Sequence, residues 1–346
     1  MFERISKEDL KNCPEFQMKN FRPGKKFLVA IDTDGCVTDN MNGKQMLVFH
    51  PQYMEFYQLW DIESYFREVA EYYSLFSIHR GCNRFTAIYL TLETLHRRQD
   101  VKSAARQTHT KIPSIEPINK YIEFCNNKSL GLGNSSLEVF LEENPMDLRV
   151  YKLLGWSEAV NRSFPFISMR IPPFENVKKC LEMMYNVADI IVVSQTPYDD
   201  LVDYWEFHDL LRYVRIICGQ EMGSKSHHLK VIKENSGYLD NNVLMIGDSS
   251  GDLKAIKEDK GCFYPIFPGK ENDSWQRFPG VFMTFIEGNY ATHMEKKLID
   301  EFSTVLLTSP AWEKPDYDHL QAYKEKQEIR RALYEKLNPG GNLLIV

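Results

Sequence analysis

The residues of this chain best suited to chemistry are acidic side chains in two short motifs. Asp32 and Asp34 belong to the sequence DTDG, and Asp248 and Asp252 belong to GDSSGD. On an extended segment Asp32 and Asp34 point the same way, because side chains alternate with a period of two. One carboxylate of such a pair can act as a nucleophile and the other as a proton donor and acceptor. The second motif favours a Mg²⁺ site, since carboxylates this close repel each other unless a cation lies between them.

A hydroxyl and two lysines lie between the acidic motifs. The Ser194 hydroxyl and the backbone N–H of Gln195 could hold a phosphoryl oxygen. A serine at such a turn is also typical of a helix N-cap. Lys225 could neutralise an anionic phosphate as a carboxylate approaches it, and Lys230 is the alternative for this role.

Strongly apolar runs precede three of these positions. FLVAI ends before Asp32, DIIVV before Ser194, and VLMIG before Asp248, and each run predicts a buried parallel strand. Further strands are predicted over 214–218 and 262–267, with helices over 174–187, 199–210 and 225–235. This alternation predicts a doubly wound, parallel-sheet α/β core. Residues that follow its strands should meet at the carboxyl edge of the sheet.

Composition divides the rest of the chain. Residues 46–169 lack comparable strand runs and are rich in aromatic and helix-forming residues, which predicts an inserted all-helical domain. The predicted division, in chain order, is an N-terminal arm at 1–20, the α/β core at 21–45 and 170–300, the helical insertion between them, and a tail at 301–346. The tail has a loose apolar stripe formed by Leu320, Tyr323, Ile329, Leu333 and Leu337. It is expected to pack on the core, with a short partner-binding helix as the alternative.

The composition excludes several classes of protein. The chain has 346 residues, 43% of them apolar, and a formal net charge of −6, which argues against nucleic acid as the main partner. No apolar run approaches the roughly 20 residues needed to span a membrane, and the N-terminus lacks a signal-peptide pattern, so we expect a cytoplasmic protein. The seven cysteines form no CxxC pair and are expected to be isolated, buried thiols.

The order of these residues resembles the four motifs of the haloacid dehalogenase superfamily. The resemblance covers residues 21–45 and about 170–270, where each motif follows its own predicted strand. The matching positions are Asp32 and Asp34, Ser194, Lys225, and Asp248 and Asp252. The family implies a Rossmann-like core and a mobile helical cap inserted after the first motif.

The resemblance also implies a role for each residue. Asp32 would attack phosphorus to form an aspartyl-phosphate, and Asp34 would protonate the leaving oxygen and then activate water. Ser194 and Gln195 would orient the phosphoryl group while Lys225 neutralises it. The implied metal ligands for Mg²⁺ are the Asp32 carboxylate, the Asp34 carbonyl and Asp248, with Asp252 holding the water shell or Lys225.

Three positions in the motifs bear on this prediction. Dehalogenases of the family lack the second carboxylate and phosphonate-cleaving members typically replace it, so Asp34 indicates phosphate esters. Cys36 stands where the family commonly has threonine, and Lys225 lacks the usual Gly-Lys-Pro setting.

The expected function is therefore Mg²⁺-dependent hydrolysis of a small phosphorylated metabolite, because an inserted cap would exclude large substrates. A phosphoryl mutase or transferase on the same fold, or a non-catalytic binding protein, are the alternatives. A DxD motif also occurs in nucleotide-sugar glycosyltransferases, but that function gives no reason for GDSSGD. The sequence leaves the oligomeric state open.

One arginine of the insertion is a candidate substrate ligand. Arg84, in the segment SIHRGCNRF, could bind an anionic group of the substrate. The alternative is that Arg84 is solvated, or paired with an acidic neighbour such as Glu68 or Glu71.

Overall fold

The computed structural model describes residues 2–337. Within that range the chain forms two compact units, residues 2–41 with 171–306 and residues 42–170 with 307–337. We call the first the core unit and the second the helical unit. Residues 338–346 of the predicted tail lie outside the described part of the chain.

The core unit contains a five-stranded sheet. Its strands, β1 to β5 in chain order, are Phe27–Ile31, Ala188–Val193, Ile216–Cys218, Val243–Gly247 and Cys262–Pro265. Every neighbouring pair is parallel, and the strand order is β3-β2-β1-β4-β5. All residues of the five strands are buried, as expected for a parallel sheet covered on both faces. The predicted doubly wound parallel fold is confirmed.

The register of the central strand aligns the ends of its neighbours. Ile31, the last residue of β1, lies opposite Val192 of β2 and Ile246 of β4. The chain adds β2 and β3 on one side of β1 and then crosses to add β4 and β5 on the other. Such a reversal opens a crevice at the carboxyl ends of the strands, where ligands of open α/β sheets bind.

Helices connect and flank these strands. Those of the core unit are Lys7–Asn12, Phe16–Lys19, Val177–Tyr185, Tyr198–Phe207, Lys225–Ser236, Ser250–Glu258, Glu271–Ile286, Tyr290–His293 and Glu295–Ser303. Three of them were expected from the sequence, at slightly different bounds. The helix that begins at Lys225 is capped by Ser224, whose hydroxyl accepts a hydrogen bond from the His227 N–H.

The described part of the helical unit has no strand, apart from a single bridge between Ser77 and Leu307. Its helices include His50–Tyr57, Glu63–Glu71, Arg84–Arg97, Gln99–Gln107, Glu116–Asn127, Asn134–Glu143, Leu148–Ser168 and His319–Leu337, and a short helix, Asn40–Lys44, begins at the boundary. Two π-helical turns, Gln45–Phe49 and Tyr72–Phe76, interrupt the α-helices. Tyr53 packs at the centre, stacked on Phe66 and edge-on to Trp156. No helix within residues 2–337 has the length and apolar composition needed to cross a membrane.

The cysteines are free thiols. Five of the seven are buried, as expected, whereas Cys13 is exposed and Cys82 is half-buried.

The C-terminal helix, His319–Leu337, corrects one expectation. Its residues group with the helical unit, whereas the sequence analysis placed the tail on the α/β core. Leu333 and Leu337 of the predicted stripe are buried, but Leu320 and Ile329 are exposed. The apolar stripe therefore predicts only part of the buried face of this helix.

Polar side chains hold this segment in place. Arg330 Nη1 lies 2.7 Å from Glu71 Oε1, and both side chains are largely buried. Upstream, the Glu68 carboxylate accepts a hydrogen bond from the Tyr317 hydroxyl and lies 3.1 Å from His319 Nδ1. Because these contacts use charged and polar positions, an apolar pattern could not identify the partner of the tail.

We expect Arg330→Ala to loosen the C-terminal helix, because it removes the ion-pair partner of the buried Glu71 carboxylate. Breaking a buried pair in this way costs about 3 kcal/mol, or about a hundredfold faster amide exchange in residues 319–337. Hydrogen exchange of the full chain measures this change. Arg331→Ala on the same helix removes only an exposed pair with Glu328 and should leave exchange unchanged. Equal effects of the two substitutions would contradict the buried pairing.

Candidate active site

The site is built where three strands of the core unit end. The Asp32 N–H donates to the Ile246 carbonyl at 3.0 Å, and the Ser194 N–H donates to the Cys218 carbonyl at 3.0 Å. The parallel hydrogen-bond ladder thus continues one residue past β1 and β2. Asp248 directly follows β4. The sheet therefore fixes the backbone of the residues that carry the candidate chemistry.

Three carboxylates converge at this edge. Asp32, Asp248 and Asp252 each place one oxygen within 4.8 Å of the other two. Their exposed fractions are 5%, 2% and 0%. Burial removes the water that would screen their repulsion, so this arrangement requires positive charge at the same place.

Lys225 supplies part of that charge. Its Nζ lies 2.7 Å from Asp32 Oδ2 and 2.6 Å from Asp252 Oδ1. Lys230, the alternative raised by the sequence, is exposed and lies 3.9 Å from Glu234. Of the two candidates, the structure brings Lys225 to the carboxylates.

The electrostatics of Asp32 follow from its burial. Burial raises the pKa of the Asp32 carboxyl to about 7, although Lys225 acts to lower it, and Asp252 and Asp248 raise it further. For the Lys225 ammonium, burial acts to lower the pKa, but Asp252 and Asp32 outweigh it and raise the pKa above its ordinary value. Lys225 is therefore charged at neutral pH, while Asp32 shares its site with other negative groups.

The charge balance and the donor set fit a divalent cation. When all three carboxylates are ionised, the single ammonium leaves an excess of two negative charges in a buried site, and an excess of one remains when Asp32 is protonated. Carboxylate oxygens are the ligands that Mg²⁺ prefers. Asp32, Asp248 and Asp252 are the residues that could hold such an ion.

Asp252 is held from two sides. Its Oδ2 accepts hydrogen bonds from the Ser249 N–H at 3.1 Å and the Ser249 hydroxyl at 2.7 Å. The Asp252 N–H in turn donates to the Ser249 hydroxyl oxygen at 3.3 Å, which completes a capping box for helix Ser250–Glu258. Its other oxygen binds Lys225. Asp252 is thus both a helix-capping residue and a member of the cluster. Asp248 precedes this helix, so the two carboxylates converge without sharing a helical face.

Gly247 allows the close approach of Asp252. A Cβ at position 247 would lie 2.4 Å from Asp252 Cβ and Cγ, which no side chain could tolerate. The first glycine of GDSSGD, Gly247, is therefore required by the packing of the cluster.

Asp34 is oriented by a residue that the sequence analysis did not assign. The Thr196 hydroxyl donates to Asp34 Oδ2 at 3.0 Å. Gly35 follows in the left-handed region, with φ of 81°, and its N–H donates to the Thr38 carbonyl at 2.8 Å. The turn and the threonine together fix the second carboxylate of DTDG. The position of Thr196, two residues after Ser194, was the available signal.

Two buried tryptophans donate hydrogen bonds to the same loop. Trp205 Nε1 donates to the Thr33 hydroxyl at 3.0 Å, and Trp275 Nε1 donates to the Cys36 carbonyl at 2.8 Å. The Cys36 thiol lies 3.5 Å from the Ile246 carbonyl, which is a weak hydrogen bond. No local sequence pattern indicates these contacts, because each joins residues more than 170 positions apart.

Ser194 is buried at the end of β2 and is not a helix N-cap, since the next helix begins at Tyr198 after Pro197. Its hydroxyl accepts a hydrogen bond from the Thr196 N–H at 3.2 Å. The Gln195 side chain donates to the Gly223 carbonyl at 3.0 Å. This bond ties the loop after β2 to the loop that precedes Lys225.

Arg84 lies in the helical unit. Its Nη1 donates to the Ser157 carbonyl and hydroxyl and to Asn161 Oδ1, at 3.3, 3.1 and 2.6 Å. It pairs with neither of the acidic neighbours proposed from the sequence, because Glu68 binds Arg98 and Glu71 binds Arg330. Its role toward a substrate stays a prediction.

No protein-family model matches the sequence, and no curated protein matches it. Similar solved structures include a haloacid dehalogenase-like family hydrolase from Streptococcus pneumoniae, at 10% identity over 72% of this chain and 90% of that chain, with a TM-score of 0.38. A hydrolase from Pseudomonas syringae is 13% identical over 72% of this chain and 90% of that chain, with a TM-score of 0.38. A predicted phosphatase from Clostridium acetobutylicum is 13% identical over 80% of this chain and 100% of that chain, with a TM-score of 0.37.

We expect the metal-free protein to lose stability as pH rises through about 7, because the pKa of Asp32 is raised in the folded state. The folded state holds the Asp32 proton more tightly than the unfolded chain does. The resulting contribution to the free energy of unfolding is fully present below the ordinary pKa of Asp32 and is lost as the pH rises through about 7. Thermal melting in EDTA at about pH 6 and about pH 8 measures the loss. Added Mg²⁺ should raise the melting temperature more at the higher pH.

Asp32→Asn is the control for this pH dependence, since the amide does not ionise. Its melting temperature should fall less between the two pH values than that of the parent. An identical fall in both proteins would mean that other groups cause the pH dependence.

Proposed function

We propose that this chain is a Mg²⁺-dependent phosphomonoester hydrolase of the haloacid dehalogenase superfamily, which acts on a small phosphorylated metabolite through an aspartyl-phosphate. The observation that carries the proposal is the buried cluster of Asp32, Asp248 and Asp252 with Lys225 between two of its members. Asp34 and Ser194 border the same edge of the sheet. A solvated acidic loop would need neither the burial nor the lysine.

In the first step, an Asp32 carboxylate oxygen attacks the phosphorus of the ester. A P–O bond to Asp32 forms as the P–O bond to the leaving alcohol breaks. Asp34 donates a proton to the departing oxygen, so the alcohol leaves neutral. The hydrogen bond from Thr196 at 3.0 Å holds the Asp34 carboxyl in one orientation for this transfer.

In the second step, Asp34, now ionised, takes a proton from a water molecule that attacks the phosphorus of the aspartyl-phosphate. The bond between phosphorus and Asp32 breaks, which releases inorganic phosphate and restores Asp32. Lys225 offsets negative charge on the phosphoryl oxygens in both steps, and the Ser194 hydroxyl can donate to one of them. The residues thereby return to their starting protonation states.

Mg²⁺ held by the cluster would lower the negative charge that an anionic phosphate meets at Asp32. Lys225 alone leaves the cluster negative, so the ion is needed for the phosphate to approach. Removal of Mg²⁺ with EDTA should therefore abolish turnover, and added Mg²⁺ should restore it.

We expect Asp32→Asn to abolish hydrolysis of an aryl phosphate in the presence of Mg²⁺, because the amide is not a nucleophile for phosphorus. Lys225→Met should lower kcat/KM by about 10²–10³-fold, the effect of removing one group that stabilises developing charge. Release of inorganic phosphate is the measurement. In hydrolysis, water accepts the phosphoryl group and no other acceptor is needed. A transferase would require an added hydroxyl compound as the acceptor.

Lys230→Met is the matched control, since Lys230 lies on the same helix and is exposed. It should leave kcat/KM unchanged. Retained turnover in Asp32→Asn, or equal losses for the two lysine variants, would overturn the assignment of the site.

Thr196→Val tests the positioning of Asp34. Loss of the hydrogen bond to the carboxyl should lower kcat by about tenfold, with little change in KM, because the bond orients a proton donor and does not bind substrate. The pH profile of kcat should shift as well, and Thr196→Ser should restore most of the activity. A change confined to KM would assign Thr196 to substrate binding.

A further inference from the structure

Arg84 is held in a fixed position by neutral groups. Its Nη1 makes all three of its hydrogen bonds, to the carbonyl and hydroxyl of Ser157 and to Asn161 Oδ1. The Ser157 hydroxyl is itself fixed, since it donates to Asn134 Oδ1 at 2.6 Å. The guanidinium also lies over the Phe49 ring, 4.8 Å from its centre. Contacts on an edge and on a face leave the group little freedom to rotate.

The other edge of the guanidinium has no partner among the described residues. No hydrogen bond within residues 2–337 engages Nε or Nη2 of Arg84. This edge presents two parallel N–H groups, which is the geometry that binds a carboxylate or phosphate in a bidentate manner. The side chain is half-buried, so the edge is not wholly enclosed by protein.

Arg84 also lacks a counter-ion in the described chain. Two other arginines of the helical unit that are largely buried do have carboxylate partners: Arg98 pairs with Glu68 and Asp100, and Arg330 pairs with Glu71. For Arg84, burial lowers the pKa to about 10, and no carboxylate offsets that effect. A charged group that is partly removed from water without an opposite charge carries a desolvation cost, and a bound anion would relieve that cost.

We propose that Arg84 is the anchor of an oxyanion-binding site in the helical unit, which takes a carboxylate or phosphate group on its Nε–Nη2 edge. Asn161 and Ser157 are positioning residues, because they hold the opposite edge. The oxyanion is either a second anionic group of the enzyme's substrate or a separate small molecule. The site stands on contacts within the helical unit and does not rest on the proposed hydrolysis.

The side-chain Nε–Hε resonance of Arg84, assigned by its loss in Arg84→Gln, provides a direct test in the full-length protein. Titration with inorganic phosphate, and separately with malonate, should shift this resonance in a saturable manner. Asn161→Ala should weaken the apparent affinity by about tenfold while leaving the arginine present, and Arg84→Lys should retain only part of the binding.

Arg149 is the matched control in the same unit. Its Nε and Nη2 bind Asp147 and its Nη1 binds Glu116, so its guanidinium is already occupied by carboxylates. Its resonance should not move, and Arg149→Gln should not alter binding. If neither anion moves the Arg84 resonance, or if the Arg84 and Arg149 resonances move equally, the site does not exist.

Kinetics identify the source of the oxyanion. If it belongs to the substrate, Arg84→Gln should lower kcat/KM at least about tenfold for phosphate monoesters whose alcohol part carries a second anionic group. It should not lower kcat/KM for aryl or alkyl phosphates whose alcohol part is uncharged. If it belongs to a separate molecule, both ester classes should respond equally to the substitution, while the resonance still shifts with free phosphate or malonate. Absence of any hydrolysis would refute the proposed function and leave the resonance test intact.

Discussion

The bridge formed by the Lys225 ammonium between Asp32 and Asp252 is the interaction on which the core site depends. Without it, three buried carboxylates would face one another in a medium that screens poorly. The bridge offsets a single charge, so the cluster remains negative. That remainder makes the site suitable for a divalent cation and, once the cation is bound, for an anionic substrate.

The surrounding structure restricts how these groups can move. Three features tie the candidate side chains to the sheet. They are the capping of a helix by Ser249 and Asp252, the close packing of Asp252 on Gly247, and the ladder hydrogen bonds beyond β1 and β2. In the proposed reaction, groups fixed in this way would not need to reorganise when charge develops at phosphorus. The preorganisation comes from ordinary elements of the α/β fold, with the catalytic candidates placed just past the strand ends.

In the helical unit, most of the buried charges named above are paired directly with an opposite charge. Its C-terminal helix is held by the ion pair of Arg330 with Glu71, and the preceding segment is held at Glu68. The neutral contacts of Arg84 contrast with that pattern. Among residues 2–337 no carboxylate pairs with Arg84, although carboxylates of the same unit bind Arg98 and Arg330, and the proposed oxyanion site would supply that missing negative charge.

Local sequence determined the parts of this protein that depend on neighbouring residues. Apolar runs specified the parallel strands, since burial on both faces requires continuous hydrophobic residues, and the residues after those runs specified the candidate site, since parallel strands end at one edge. Lys225 and Lys230 remained alternatives because each lies near the start of a helix, and sequence does not give the direction of a side chain. Only the tertiary structure showed that Lys225 lies against the carboxylates and Lys230 does not, that Thr196 contacts Asp34, and that the tail groups with the helical unit. These outcomes depend on contacts between residues distant in sequence, several of them polar, for which hydrophobic periodicity contains no information.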